Sequence, residues 1–149
     1  MKYTTEIKID LPIQKVIDIF ENPDLLPDWQ RGLLYSKLIK GSNGEVGAKR
    51  KLKIDLEIRT IIMIETILKK ELPHQWHGKY SANGIDSVQK NFFEAINENQ
   101  THWMNESEFQ FHGGMRIVSK LMPNIFKNRS EQVMKDFKLF AEKGISQRK

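Results

Sequence analysis

The chain has 149 residues, 39% of them hydrophobic and 29% charged, with no cysteine. This composition suits one domain with a real core and excludes a disordered tail, a fibre, a disulfide scaffold and any cysteine-ligated zinc, haem or iron–sulfur site. The net charge of +5 is local: residues 1–114 hold 15 basic and 16 acidic side chains, whereas residues 115–149 hold 9 and 3.

Tyr3, Thr5, Ile7, Ile9 and Leu11 alternate with polar residues, the pattern of a half-buried strand. Pro12 then suits the first turn of a helix whose stripe is Ile13, Val16, Ile17 and Phe20. Asn22-Pro23 stops that helix, and Asp24 can cap a second short one through Trp29. Strands are expected over 34–39, 46–56 and 58–68, the first two joined by the Asn43-Gly44 hairpin signal. Pro73 breaks the run. His74 to Ser81 alternates, with Trp76 and Tyr80 on one side, and Asn83-Gly84 marks the next hairpin. In the following strand Val88, Phe92 and Ile96 are expected on one face, with Phe93 and Ala95 on the other. After the turn at 97–100, Trp103, Asn105, Ser107, Phe109 and Phe111 share a face.

The period then changes to that of a helix. Val118, Met122, Ile125, Val133, Phe137 and Phe140 fit one long amphipathic stripe, with Pro123 expected to kink or divide it and Gly144 to cap it. The expected fold is therefore α+β: a curved seven-stranded antiparallel sheet, two short helices after the first strand, and a long C-terminal helix across the concave face. One domain spans 1–149, its last few residues a flexible basic tail.

The order of these signals resembles the START-related, polyketide cyclase/dehydrase and lipid-transport superfamily (SRPBCC), which shares the helix-grip fold of the birch-pollen allergen. The carriers are the opening strand, the helix Pro12 to Phe20, Trp29 after Asn22-Pro23, the Gly44-Glu45-Val46-Gly47 step into a strand, and the closing helix with its internal proline. That superfamily has no shared catalytic residues. The resemblance implies a fold and an apolar cavity, and implies chemistry hardly at all.

The expected cavity lining is Trp29, Trp76, Tyr80, Phe92, Trp103, Asn105, Phe109, Phe111, Met115 and Met122. Aromatics with adaptable methionines suit a flat or flexible apolar ligand. Glu94, sharing parity with Phe92, is the candidate acid, with Tyr80 and His74 as partners for a catalytic role. His74 and His77 fall on opposite strand faces, and His102 and His112 near opposite ends of one strand, so no metal site and no cofactor is expected. No phosphate-binding loop or nucleophile elbow occurs.

The leading expectation is a non-enzymatic binder or carrier of a hydrophobic small molecule: a lipid, a quinone or a polyketide-like aromatic. One alternative is a cyclase/dehydratase-type enzyme acting on such a ligand. Another is an interaction protein that presents the basic last helix, with Lys127, Lys135, Lys138 and Lys143, to an anionic membrane or a ribosome. That helix places Phe137 and Phe140 on its buried stripe, which argues against direct nucleic-acid reading. A monomer or weak dimer is expected. With Ile61 to Ile64 as the longest apolar run and no apolar signal segment at the N-terminus, the expected location is the cytoplasm.

Overall fold

Seven strands, two short helices and a divided C-terminal helix make up the computed structural model, which describes residues 1–148. Strand β1 (Lys2–Ile9) is followed by α1 (Ile13–Glu21), a 3-10 turn (Pro23–Leu25) and α2 (Leu26–Trp29). The meander is β2 (Leu33–Lys40), β3 (Lys49–Asp55), β4 (Thr60–Glu71), β5 (Gln75–Ala82), β6 (Ile85–Asn97) and β7 (Gln100–Phe111). Helices α3 (Met115–Leu121) and α4 (Ile125–Lys143) close the chain. The order across the sheet is β1-β7-β6-β5-β4-β3-β2, every neighbour antiparallel.

Local chemistry explains the boundaries. Pro12 sits at the N-terminal end of α1, where its missing N–H leaves no helical bond unmade. The Asn22 side chain accepts from the Asp24 N–H and starts the 3-10 turn. Strand β3 begins at Lys49, after the loop through Gly47. The turn after it forms where the Asp55 carboxylate accepts the Glu57 N–H, with Glu57 at φ 71°. Gly32 has φ 82°, and a Cβ there would lie 2.2 Å from the Asp55 carbonyl oxygen, so only glycine lets β2 start this close to the end of β3. The Leu72-Pro73 bond between β4 and β5 is cis.

Pro123 divides the last helix, and Gly144, at φ 68°, caps it in the left-handed conformation. Helix α4 lies mainly against β1. Its Ser130 hydroxyl is 2.7 Å from the Tyr3 hydroxyl, and Lys138 donates to the Lys8 carbonyl. On the other flank of α4, buried Asp136 accepts two bonds of 2.9 Å from Arg31 and a third from Gln132. The segment after Gly144 lies against α2: Ser146 and Arg148 both donate to the Asp28 carboxylate.

Under this helix one end of the concave face is solid. Phe20 stacks on Trp29 and meets Trp76, Phe93, Trp103 and Phe137 edge-on, at ring separations between 5.0 and 6.3 Å. Ile9, Val16, Ile17 and Met134 complete this core. No described helix is long and apolar enough to cross a membrane.

Candidate functional site

Beyond the aromatic core the concave face turns polar. Strand register places Thr5, Asn105 and Asn91 in one row beside Trp76. The next row holds Tyr3, Ser107, Gln89 and Gly78. The next holds Phe109, Ser87, Tyr80, Glu65 and Arg50. Phe111, Ile85, Ala82, Met63 and Leu52 restore an apolar edge. A polar belt thus crosses the sheet between two apolar margins.

Hydrogen bonds link one end of this belt. Asn91 Oδ1 accepts from Trp103 Nε1 at 2.9 Å and from Asn105 Nδ2 at 2.7 Å, and Ser107 Oγ donates to Asn105 Oδ1 at 2.5 Å. The chain is anchored on the core through the Trp103 indole, which fixes the amide orientations. Next to it, Thr5 Oγ1 is buried without a hydrogen-bond partner among the described residues. An unsatisfied buried hydroxyl costs about 1–3 kcal/mol.

The other end is acidic. Glu65 is 8% exposed and stands opposite Tyr80 across β4 and β5. Burial raises the Glu65 pKa, against the lowering effects of the Tyr80 hydroxyl and the Arg50 charge. Tyr80 is pushed well above its ordinary range by burial first and by Glu65 second. Arg50 faces Glu65 in register but spends its guanidinium elsewhere, donating to the Ser36 hydroxyl, the Ser36 carbonyl and the Asn43 side chain. Lys70 is likewise committed, to Glu21 and to the Gly44 carbonyl. Among the described residues, no cation is therefore bonded to the Glu65 carboxyl group.

The helices cover this face unevenly. Their main contacts fall on β1, β2, β6 and β7, while α1 reaches β4 through the Glu21–Lys70 ion pair and β5 through the Phe20 ring on Trp76. Arg50, Met63, Tyr80 and Gln89 accordingly stay partly exposed on the concave side. Gly78 shapes the floor, because a Cβ there would lie 2.8 Å from the Trp76 ring and 3.2 Å from the Tyr80 ring. The two rings lie over the strand where a side chain would otherwise stand. The described surface hollows are elsewhere: one of about 600 Å³ beside Asp10 and the β6–β7 turn, another of about 330 Å³ on the outer side of α4.

The expected site residues separate into groups. Asn105 lies in the polar belt, and Tyr80 closes it against Glu65. Phe109 and Phe111 form the apolar margin, both packed on Phe126. Met115 lies against Gly84 near that margin. Trp29 and Trp103 belong to the solid aromatic core, with Trp76 edge-on to Phe20 beside it.

Four expectations are corrected. Phe92 points to the convex face, where its ring meets His77 at 5.1 Å, and Phe93 takes the inward position. Glu94 follows Phe92 in parity and is exposed, opposite His102 on the convex side. His74 is exposed just before β5, its Nδ1 3.2 Å from the Phe93 carbonyl oxygen. Met122 is 52% exposed, because the break at Pro123 takes α3 out of phase with the α4 stripe. The acid that does face inward, Glu65, leaves one trace in the sequence: it is the single charged residue in the apolar run from Ile61 to Leu68. Among the described residues no group of three His, Asp or Glu side chains is placed to hold a metal ion.

An antiparallel sheet wrapped on a long C-terminal helix, with a sided concave face, defines a helix-grip protein. No family model and no curated protein sequence matches the chain. Solved structures do. The chain is similar to the Zhui aromatase/cyclase from Streptomyces sp. R1128, at 8% identity and TM-score 0.82 over 95% of this chain and 93% of that one. It is similar to a START superfamily protein from Mycobacterium smegmatis, at 10% identity and TM-score 0.79 over 95% and 97%. It is also similar to norcoclaurine synthase from Thalictrum flavum, at 12% identity and TM-score 0.73 over 96% and 94%. The chain shares the helix-grip fold of these solved structures.

Proposed function

We propose that the protein binds a hydrophobic small molecule on the concave face over β3 to β6, as a carrier or receptor rather than through a built-in reaction. The observation that carries this reading is the buried polar belt, which runs from Thr5 on the edge strand β1, whose Oγ1 has no hydrogen-bond partner among the described residues, to Glu65 on β4. A sheet face meant only to pack a helix is cheapest when apolar. Here polar groups that could orient a ligand lie between apolar margins of Phe109, Phe111, Met63 and Leu52. That is the composition of a small-molecule site. Solved structures with this fold include an aromatase/cyclase and a norcoclaurine synthase, which supports organic ligands of this class. Native mass spectrometry of freshly purified protein is expected to show a co-purified apolar molecule, or one retained after incubation with a mixture of lipids, quinones and polycyclic aromatics. A protein that stays unliganded, with no thermal shift from any of them, would overturn the reading.

A second reading is favoured by α3. Ile117, Leu121, Met122 and Ile125 are 63, 76, 52 and 42% exposed. Arg116, Lys120 and Lys127 stand among them, and residues 115–130 contain no acid. Apolar spikes ringed by cations suit an anionic bilayer. This elbow, more than the outer face of α4, is where the positive surplus is matched to apolar exposure; on α4, Lys138 is already paired with Glu142. Sedimentation with anionic but not zwitterionic vesicles, weakened by salt, is the expected result. Binding to ribosomes alone would sink this reading.

A further inference from the structure

We propose that the outward face of β2 to β5 binds the phosphate backbone of single-stranded nucleic acid, a role separate from the concave face and independent of any ligand there.

The sequence places the charge. Lys49-Arg50-Lys51-Leu52-Lys53 is a basic run laid on strand β3. Strand alternation sends Arg50 and Leu52 to the concave side and the three lysines to the other. The register then gathers more of them. Lys37 on β2 is directly opposite Lys51, and Lys40 is directly opposite Lys49. Thr66 lies between Lys49 and Lys79 in one row, and Lys49 Nζ donates to its hydroxyl at 2.9 Å. Asp55 stands at one end of this face and Glu71, paired with Lys69, at the other. Between them the outward positions of β2 to β5 hold no acid.

Like charges directly opposite each other across a ladder repel. Among the described residues, Lys37, Lys40 and Lys51 have no ion pair to relieve this. Lys37, Lys40 and Lys79 are exposed, and Lys49, Lys51 and Lys53 are partly so. The sheet therefore carries a grid of cations whose repulsion an anionic partner relieves.

Spacing and shape select the partner. Alternate residues of one strand are about 6.7 Å apart and neighbouring strands about 4.8 Å apart. A duplex strand carries one phosphate per ~3.4 Å of axis, and a single strand is free to extend beyond that interval and match the grid. Lysine is a point charge that suits phosphate and does not read bases. Tyr35 stands at the β2 edge of the same face, 39% exposed, with the Lys53 ammonium 6.0 Å from its ring centroid. An exposed ring beside a row of lysines is a stacking platform for a base. The face is convex, so a flexible strand can follow it where a planar bilayer would meet only its crest.

The test measures fluorescence anisotropy of a labelled oligothymidylate of about twenty nucleotides, longer than the sites of single-strand-binding folds. Binding at low salt is expected, with log affinity falling against log salt concentration at a slope of about −3, as for roughly four phosphates neutralised. Oligocytidylate should bind similarly, because the backbone carries the recognition. Lys37→Gln together with Lys51→Gln should make the slope shallower by about 1.4. Lys15→Gln together with Lys143→Gln removes the same charge from exposed positions elsewhere and should leave it unchanged. In the wild type, amide chemical-shift changes should fall on β2 to β5 and spare α3 and α4, a readout that needs no variant to fold. No binding at low salt, equal loss of slope in both double variants, or shift changes on the helices instead would overturn the proposal. So would phosphatidylserine vesicles bound through Lys37 and Lys51 with the oligonucleotide ignored, which would make a bilayer the occupant. None of these residues lies on the concave face, so each such failure leaves the ligand-binding reading standing.

Discussion

Glu65 is the side chain whose placement has the most consequences for the protein. Its pKa is raised in the folded state, so the native protein holds the proton at pH values where the unfolded chain, with an ordinary value of 4.5, has lost it. Between those two values the folded state binds more protons, and stability falls as pH rises. The contribution is intact below the unfolded value and is lost as pH climbs through the folded one. Glu65→Gln is therefore expected to flatten the alkaline side of a plot of unfolding free energy against pH, and to leave the acid side close to wild type. A variant whose profile superimposes on the wild type would show that the side chain titrates as if in water. Phe137 gives a simpler expectation. It is fully buried against Phe20, Trp29 and Trp103, so Phe137→Ala should cost about 3–5 kcal/mol in denaturant unfolding.

Among the elements, α4 and β5 offer the clearest tests. Asp136 is buried on α4 and receives both Arg31 bonds and the Gln132 bond, so Asp136→Ala should lower stability by about 2 kcal/mol, read as a lower midpoint at unchanged slope. Gly78→Val puts methyl groups where the Trp76 and Tyr80 rings lie, and should cost about 1–3 kcal/mol. Leu121→Ser on exposed α3 should change stability by less than about 0.5 kcal/mol while lowering any binding to anionic vesicles. The element order was legible in the sequence because alternation, Asn-Gly turns and helix-stopping prolines mark most boundaries. The facing of β6 was not. Its inward positions from Ile85 on are Ile85, Ser87, Gln89, Asn91 and Phe93, so the middle of its concave side is polar and the usual apolar-inward alternation points the wrong way. Phe92 and Phe93 are adjacent and equally apolar, and only the partners on β5 and β7 decide between them. The acid of the site was misplaced for the same reason: parity with Phe92 drew attention to Glu94, while Glu65 sat in a run that reads as buried strand.

At the level of the whole molecule, the sheet order joins residues that are far apart in the chain. Strand β1 is hydrogen-bonded to β7, with Lys2 opposite Glu108 and Ile9 opposite Thr101. During synthesis β1 is made about a hundred residues before the strand it pairs with. Until then β1 and the stripe of α1 have nothing to pair with, and the meander from β2 to β7 must assemble around an absent edge. The last helix comes later still, and with it the Tyr3 to Ser130 contact that holds β1 down. Folding of this topology is accordingly set by closure of distant chain ends and is expected to be slow for its size. A ribosome-bound chain arrested before β7 would expose both a free strand and an uncovered concave face, which makes it the form most prone to aggregate and most in need of a chaperone.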